Sequence, residues 1–168
     1  MILFHGSNVK VTAINLSKCH PHKDFGKGFY LTDIKDQAAK MAGRVARLYG
    51  GYPVVSQFNL DEDVFFDSMV KIMDFEKPSR EWAIFVMNNR NREFNNNSDI
   101  LCNKDSKYDI VIGAVANDDI AYLFRTFING LIDIDTLVRG LEYKTLTKQY
   151  SFHSENALKY LKYMERGS

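Results

Sequence analysis

The segment YDIVIGAVA, at residues 108–116, constrains the fold of this chain most, because its apolar residues follow one another almost continuously. A run of this kind predicts a central strand with both faces buried. Other short strands are predicted before and after it, without a regular alternation of strand and helix. They lie at 2–5, 28–32, 53–60 and 147–152. We therefore predict an α+β domain with a split, mixed sheet and flanking helices.

Helices are predicted where apolar residues recur at three- and four-residue spacing. The clearest begins at Thr32 or Asp33, either of which can cap it, and ends at Gly50 and Gly51. Others are predicted at 79–92, 119–129, 135–141 and 154–164, with residues 65–75 helical in part. The polar stretch at 91–99 is interpreted as a loop.

The totals are those of one ordinary folded domain. The chain has 168 residues, of which 45% are hydrophobic and 26% charged, so we predict a single domain over 1–166. The net charge of +1 gives no general sign of a polyanionic partner, although a local basic patch stays open. No apolar run approaches the roughly 20 residues that cross a bilayer, and no signal-like segment opens the chain. We expect a cytoplasmic protein that does not associate with membranes.

The cysteines and histidines do not predict a metal centre. Cys19 and Cys102 are far apart in the chain and belong to no CxxC pair. A ligand set can be drawn from Cys19, His20 and His22, but these residues are interpreted as a polar loop around Pro21. No metal site is therefore expected.

Two short motifs carry residues that suit chemistry. The first, HGS at residues 5–7, places an imidazole at the end of a predicted strand beside a glycine, whose bare backbone lets a flat ligand approach. On its own it also fits a turn with His5 buried in the core. The second, GKGFYLT at residues 26–32, is half of a dinucleotide fingerprint, but its glycines precede the strand instead of following it. It is interpreted as a glycine-hinged strand that offers the ring of Tyr30 and, on the same side, the hydroxyl of Thr32.

Together the two motifs resemble those of the ADP-ribosyltransferase superfamily, and in particular those of a bacterial branch of it. The matching segments are FHGS at 4–7, DFGKGFYLT at 24–32, QA at 37–38, Trp82, Asn89 with Arg90, YDIVIGAVA at 108–116 and QYSFHSENALKYL at 149–161. They cover most of the chain and are specific as a set. The resemblance implies an ADP-ribosyltransferase-like domain whose split sheet clamps NAD, which is the substrate.

The resemblance also implies roles for individual residues. His5 would bond the adenosine ribose, the backbone of Gly6 would hold the nicotinamide amide, and Tyr30 would stack on the positively charged nicotinamide ring. From their positions beside the second motif, we also expect Asp24 and Lys27 to border the cleft and to shape a mobile loop over the cofactor. Further cofactor-binding residues are expected at Ser7, Gly28, Thr32, Arg44 and Arg47. The two arginines share a helix face and suit a pyrophosphate, although a solvated face is the favoured explanation for at least one of them.

The third catalytic position departs from the family pattern. Gln149 stands where the family often has glutamate. A glutamine can bond a ribose 2′-hydroxyl, but it can neither act as a base nor supply a full negative charge. This argues against polymer elongation and leaves single transfer open. Glu142 and Glu155 are near in sequence and rank behind Gln149.

Two functions from different classes follow. The first is an NAD-dependent mono-ADP-ribosyltransferase, the toxin of a bacterial toxin–antitoxin or phage-defence pair, with a protein or nucleic-acid acceptor and an antitoxin protein as a further partner. The second is an NAD- or nucleotide-binding module of the same fold that transfers weakly or not at all, as the missing carboxylate suggests. Transfer of an RNA 2′-phosphate to NAD ranks third, because the chain does not concentrate basic residues.

Overall fold

The computed structural model describes residues 1–93, 101–142 and 147–165. The described residues form seven strands and five helices. The strands are β1 (Ile2–Ser7), β2 (Phe29–Leu31), β3 (Val54–Leu60), β4 (Ile72–Asp74), β5 (Ile110–Ala114), β6 (Lys148–Phe152) and β7 (Leu161–Met164). The helices are α1 (Lys35–Tyr49), α2 (Arg80–Arg90), α3 (Asp118–Ile128), α4 (Ile134–Glu142) and α5 (Glu155–Leu158). Short 3₁₀ turns cover Leu16–Lys18 and Glu62–Phe66.

The strands form two sheets that meet at one point. The first has the order β1-β3-β7 and is antiparallel throughout; the second has the order β2-β6-β5-β4, with β4 parallel to β5. A single antiparallel pair, Phe4 with Thr32, joins them through two backbone hydrogen bonds of 2.8 and 3.0 Å. Beyond this pair, the ladder pairing in the described residues joins β1 to β3 and β2 to β6. The α+β class and the mixed, split sheet are confirmed.

The second sheet is buried on both faces, as the apolar run in β5 predicted. Ile110 and Ile112 belong to one hydrophobic cluster, whereas Val111, between them, belongs to another. The first cluster lies between the two sheets and includes Leu161 of β7. The second is built on α2 through Trp82 and Phe85, which are fully buried.

Two predicted elements need correction. The helix predicted at 154–164 is wrong beyond Leu158, because residues 161–164 form β7 along the edge of β3, with Leu161 opposite Leu60. The apolar residues at 161–164 have helical spacing, but they form a strand because the free edge of β3 pairs with them. Residues 65–75 contain the end of a 3₁₀ turn and the strand β4, which pairs with β5. Most of the loop predicted at 91–99 lies outside the described residues.

The helix after β2 begins close to its predicted position. The N-cap of α1 is Ile34, which makes no side-chain capping bond; instead the Thr32 hydroxyl accepts a hydrogen bond from the Ile34 N–H at 3.2 Å. In the part of the chain that the structure describes, no helix has both the length and the apolar character needed to cross a bilayer.

Candidate functional site

The candidate site lies where β1 and β2 separate. In an antiparallel strand the backbone groups of alternate residues point to the same side. Because both backbone groups of Phe4 bond to Thr32, those of Gly6 point to that side as well, past the last pair between the sheets. Gly6 therefore presents a backbone donor and acceptor to the gap between the two strands.

The glycine in HGS has a packing reason that the sequence did not reveal. A Cβ atom built on Gly6 would lie 1.9 Å from the carbonyl oxygen of Ala38 and 2.8 Å from the backbone nitrogen of Ala42. Both atoms belong to the backbone of α1, so neither can move aside alone. Gly6 lets α1 pack directly on β1 and so fixes one wall of the gap.

His5 is tied to the main chain of Tyr30. Its Nδ1 atom lies 2.8 Å from the Tyr30 carbonyl oxygen, and its ring stacks on Phe29 with 4.3 Å between ring centres. A carbonyl can only accept, so Nδ1 carries the proton and Nε2 holds the lone pair of the neutral ring. Burial lowers the pKa of His5, against an opposing effect of this hydrogen bond. Nε2 is thus an acceptor, and no described residue donates to it.

The ring of Tyr30 and that of His5 do not touch each other. Phe29 packs in the cluster between the sheets, while Tyr30 points to the opposite face of β2, toward the cluster around α2. Its hydroxyl donates to the Gly26 carbonyl at 2.7 Å and accepts from the Phe25 N–H at 3.0 Å. Burial, and next the charge of Asp24, raise the pKa of Tyr30 well above its ordinary value. Tyr30 therefore offers a neutral, half-buried ring, since its hydroxyl is already engaged.

Gln149 lies on the same face as Tyr30. Tyr30 is opposite Ser151 in the sheet, and Gln149 is two residues from Ser151 along β6. The Gln149 Nε2 donates to Asp24 Oδ2 at 2.8 Å and to the Ala114 carbonyl at 3.2 Å. Both partners are acceptors, so this atom must be the amide nitrogen. Gln149 Oε1 is left without a partner among the described residues.

Asp24 is the buried centre of this network. Its Oδ1 accepts from Arg90, at 2.8 Å from Nε and 2.6 Å from Nη2, and its Oδ2 also accepts from the Ala116 N–H at 3.0 Å. Arg90 donates further to the Ala116 carbonyl at 2.9 Å. The Asp24 side chain is thus turned inward and contacts Gln149 of the candidate site. It is 8% exposed and anchors Gln149 to the end of α2.

The remaining residues of the DFGKGFYLT motif hold this arrangement in place. Phe25 is fully buried against Tyr30 and two other aromatic rings, and Gly26 has φ +90°, a conformation that favours glycine. A Cβ on Gly28 would lie 2.6 Å from His153 Nδ1. The Thr32 hydroxyl donates to the Lys148 carbonyl at 3.0 Å. Gly28 and Thr32 are thus engaged with the protein itself.

The other predicted cofactor-binding residues are more exposed. Among the described residues, the Ser7 hydroxyl has one hydrogen-bond partner, the Asn8 side chain, at 3.4 Å. Arg44 lies on the exposed side of α1, 3.9 Å from Asp118 at the start of α3, and Arg47 is exposed one turn later. Among the described residues, neither arginine contacts His5 or Tyr30.

Comparison with known proteins gives a family. The model described as "Protein of unknown function (DUF3990)" matches residues 1–163. The chain belongs to the DUF3990 family. Neither the curated proteins nor the solved structures contain a match. The DUF3990 match covers both sheets as far as Tyr163 and every residue of the candidate site.

Sequence reasoning missed a buried Ser–His pair in this DUF3990 protein. Ser151 Oγ lies 2.8 Å from His153 Nε2, and His153 Nδ1 donates to the Lys27 carbonyl at 2.8 Å. Burial lowers the pKa of His153 to about 4, so its ring is neutral at pH 7. Its ring lies nearly perpendicular to that of Tyr30, with 6.4 Å between centres. The letters SFHS in the last motif were the available signal, but the use of these side chains depends on how β6 pairs with its neighbours.

Ser151 and His153 support the site and do not form a reactive pair. Ser151 is fully buried, so no substrate reaches its hydroxyl. Within the described residues no group of three or more metal-ligating side chains comes together.

Proposed function

We propose that this protein is an NAD-dependent mono-ADP-ribosyltransferase whose split sheet binds NAD between β1 and β2. The observation that carries the proposal is the arrangement around the Phe4–Thr32 pair, where the sheets part. Beside it lie the backbone of Gly6, an imidazole acceptor on His5, which stacks on Phe29 on one face of β2, and the neutral ring of Tyr30 on the opposite face of β2. These are the groups that a ribose, a carboxamide and a flat cationic ring require.

The proposed pose assigns each group to a part of NAD. His5 Nε2 accepts from a hydroxyl of the adenosine ribose, and the backbone of Gly6 pairs with the nicotinamide amide. The ring of Tyr30 packs on nicotinamide. Ser7 is the adjoining hydroxyl, and Arg44 and Arg47 can swing toward the pyrophosphate because both are exposed. Gly28 and Thr32 hold β2 in position, Gly28 by its close packing on His153 and Thr32 by its bond to the Lys148 carbonyl.

The proposed chemistry breaks the bond between C1′ of the ribose and the nicotinamide nitrogen. The electron pair stays with nicotinamide, which leaves as a neutral molecule, and an acceptor nucleophile bonds to C1′. Gln149 Oε1 accepts a hydrogen bond from the ribose 2′-hydroxyl and so orients the sugar. Its amide nitrogen is held by Asp24 and Ala114, so the group acts as a positioned dipole without a charge. Such a site suits one transfer and not chain elongation.

A specific observation also favours the second candidate, an NAD-binding module with little or no transfer. The carboxylate nearest to Gln149 is Asp24, and its two oxygens accept four N–H groups. Asp24 is thus fully engaged and unsuited to act as a general base.

Nicotinamide release distinguishes the two candidates. Purified protein is incubated with NAD and mixed protein, RNA and DNA acceptors, while released nicotinamide and ADP-ribose adducts are followed by mass spectrometry. We expect release, with His5→Ala and Tyr30→Ala each lowering it by about 10²-fold or more, because they remove contacts to the substrate. Tyr52→Ala, at a tyrosine that is 83% exposed, is the control and should match the wild type. NAD binding without release would favour the binding module.

A role as the toxin of a toxin–antitoxin or phage-defence pair is part of the same proposal. Expression from a tightly controlled promoter in bacteria should stop growth, and His5→Ala should restore it at equal protein level. Arrest that persists in this variant would contradict a toxin that acts through NAD.

A further inference from the structure

A groove of about 570 Å³ adjoins the Asp24–Arg90 pair. It is lined by residues 20–23, by Tyr49 at the end of α1, and by Arg90 and Arg92 at the end of α2. The groove is connected to the candidate site through Arg90, which lines the groove and binds Asp24, which in turn binds Gln149.

The lining of the groove is basic, although the chain as a whole is nearly neutral. Lys23, Arg90 and Arg92 carry positive charge, His20 and His22 add imidazoles, and none of the described lining residues is acidic. Arg90 is neutralised by buried Asp24. Lys23 and Arg92 are exposed, and no described residue forms an ion pair with either. The groove therefore concentrates positive charge that suits an anionic ligand.

Tyr49 gives the groove an aromatic wall. It is 72% exposed and ends the helix whose packing on Gly6 fixes the other side of the gap. A basic groove with an accessible aromatic ring is the arrangement that binds single-stranded nucleic acid, since the charges follow the backbone and the ring stacks on a base.

The amide at Gln149 restricts the acceptor chemistry. A hydroxyl or an ammonium group must lose a proton to attack C1′, and Gln149 cannot take it. A phosphate monoester has a second pKa of about 6 and is already a dianion at pH 7. It therefore needs no base. A protein carboxylate needs none either, and the basic groove with its aromatic ring is what favours a nucleic acid.

Resting on the proposed function, we infer that the acceptor is the terminal phosphate of a single-stranded nucleic acid bound in this groove. One phosphate oxygen bonds to C1′ of the nicotinamide ribose, and the bond from C1′ to the nicotinamide nitrogen breaks. Its electron pair leaves with nicotinamide, and no proton is transferred. The product carries ADP-ribose on the end phosphate through a new phosphodiester.

The experiment offers single-stranded RNA and DNA oligonucleotides with a 5′-phosphate, a 3′-phosphate or only hydroxyl ends, together with a protein mixture. Binding is measured without NAD by fluorescence anisotropy over a range of salt, and transfer is measured with NAD by mass spectrometry. We expect transfer only to ends that carry a phosphate, and its loss after phosphatase treatment. The RNA and DNA arms show which nucleic acid is preferred.

Groove variants connect the transfer to this surface. The double variant Lys23→Gln/Arg92→Gln should weaken oligonucleotide binding about tenfold and reduce the slope of log K against log salt by about 1.4, roughly 0.7 per residue for a single strand. The control Arg80→Gln/Lys162→Gln removes one arginine and one lysine that are exposed outside the groove. It should bind like the wild type.

The failures of the two proposals are distinguishable. Nicotinamide release with ADP-ribose on proteins or on hydroxyl ends, but not on phosphates, would overturn the acceptor while the transferase stands. Equal binding by the groove variant and the control would overturn the groove. Oligonucleotide binding with no release of nicotinamide from any mixture would overturn the transferase, and with it the acceptor.

Discussion

Gln149 owes its orientation to two acceptors, the Asp24 carboxylate and the Ala114 carbonyl. An amide satisfies both with one NH₂ group and keeps its oxygen free. A carboxylate in the same place would face another carboxylate at hydrogen-bond distance. Asp24 and Gln149 therefore form a matched pair, and Gln149 fits its surroundings as it stands.

We predict that Gln149→Glu does not create a working base at neutral pH. The new carboxyl must keep its proton to donate to Asp24, so its pKa rises above the ordinary value of about 4.3. A raised folded-state pKa leaves the variant stable at low pH and costs stability as pH rises through it. Urea unfolding should give a free energy of unfolding about 2–4 kcal/mol below the wild type at pH 8, and a smaller deficit at pH 5.

Gln57→Glu, at a partly buried glutamine of β3 with no carboxylate partner, is the matched control and should show a small, pH-independent change. A Gln149→Glu protein as stable as the wild type at pH 8, with faster nicotinamide release, would show that Asp24 does not oppose the new charge.

His153 makes the fold sensitive to acid. Its folded-state pKa of about 4 lies below the ordinary 6.5, so its contribution is complete above pH 6.5 and is lost as pH falls toward 4. The difference corresponds to about 3 kcal/mol. The free energy of unfolding is measured in urea at pH 7 and at pH 4. We expect its decrease between these pH values to be about 3 kcal/mol smaller in His153→Gln than in the wild type. His20→Gln, in the exposed loop, should keep the wild-type dependence; an unchanged loss in His153→Gln would refute the assignment.

At the level of elements, the packing of α1 on β1 decides the width of the gap. The helix backbone contacts Gly6 so closely that no side chain fits between them. The other wall is β2. The Tyr30 hydroxyl hydrogen-bonds to the backbone of residues 25 and 26, and Gly28 packs closely on His153, so these contacts hold the strand in place. The two walls are thus fixed by separate contacts on either side of the Phe4–Thr32 pair.

Gly6→Ala should push α1 away from β1. The added Cβ meets backbone atoms at 1.9 and 2.8 Å, so we expect a loss of about 3 kcal/mol or more in the free energy of unfolding. Gly43→Ala, on the same helix, is the control: its Cβ meets only Arg47 Nη1, at 3.7 Å, and alanine favours a helix by up to about 1 kcal/mol. Equal stability of the two variants, measured by thermal and urea unfolding, would contradict the close packing.

For the whole molecule, periodicity and composition predicted the α+β class, the buried central strand β5 and the start of α1, because these follow from local patterns. The strand β7 was missed because its residues also fit a helix, and only the open edge of β3 decides between them. The roles of Asp24, Arg90 and His153 were missed for a related reason. Their partners lie 125, 66 and 126 positions away in the chain, and no local pattern encodes such a contact.

The most direct test of the account is a crystal structure of the protein with bound NAD. We expect the adenosine ribose within hydrogen-bond distance of His5 Nε2, the nicotinamide amide on the backbone of Gly6, and the 2′-hydroxyl of the nicotinamide ribose on Gln149 Oε1. NAD bound elsewhere on the protein, or a gap between β1 and β2 that stays closed at saturating NAD, would contradict it.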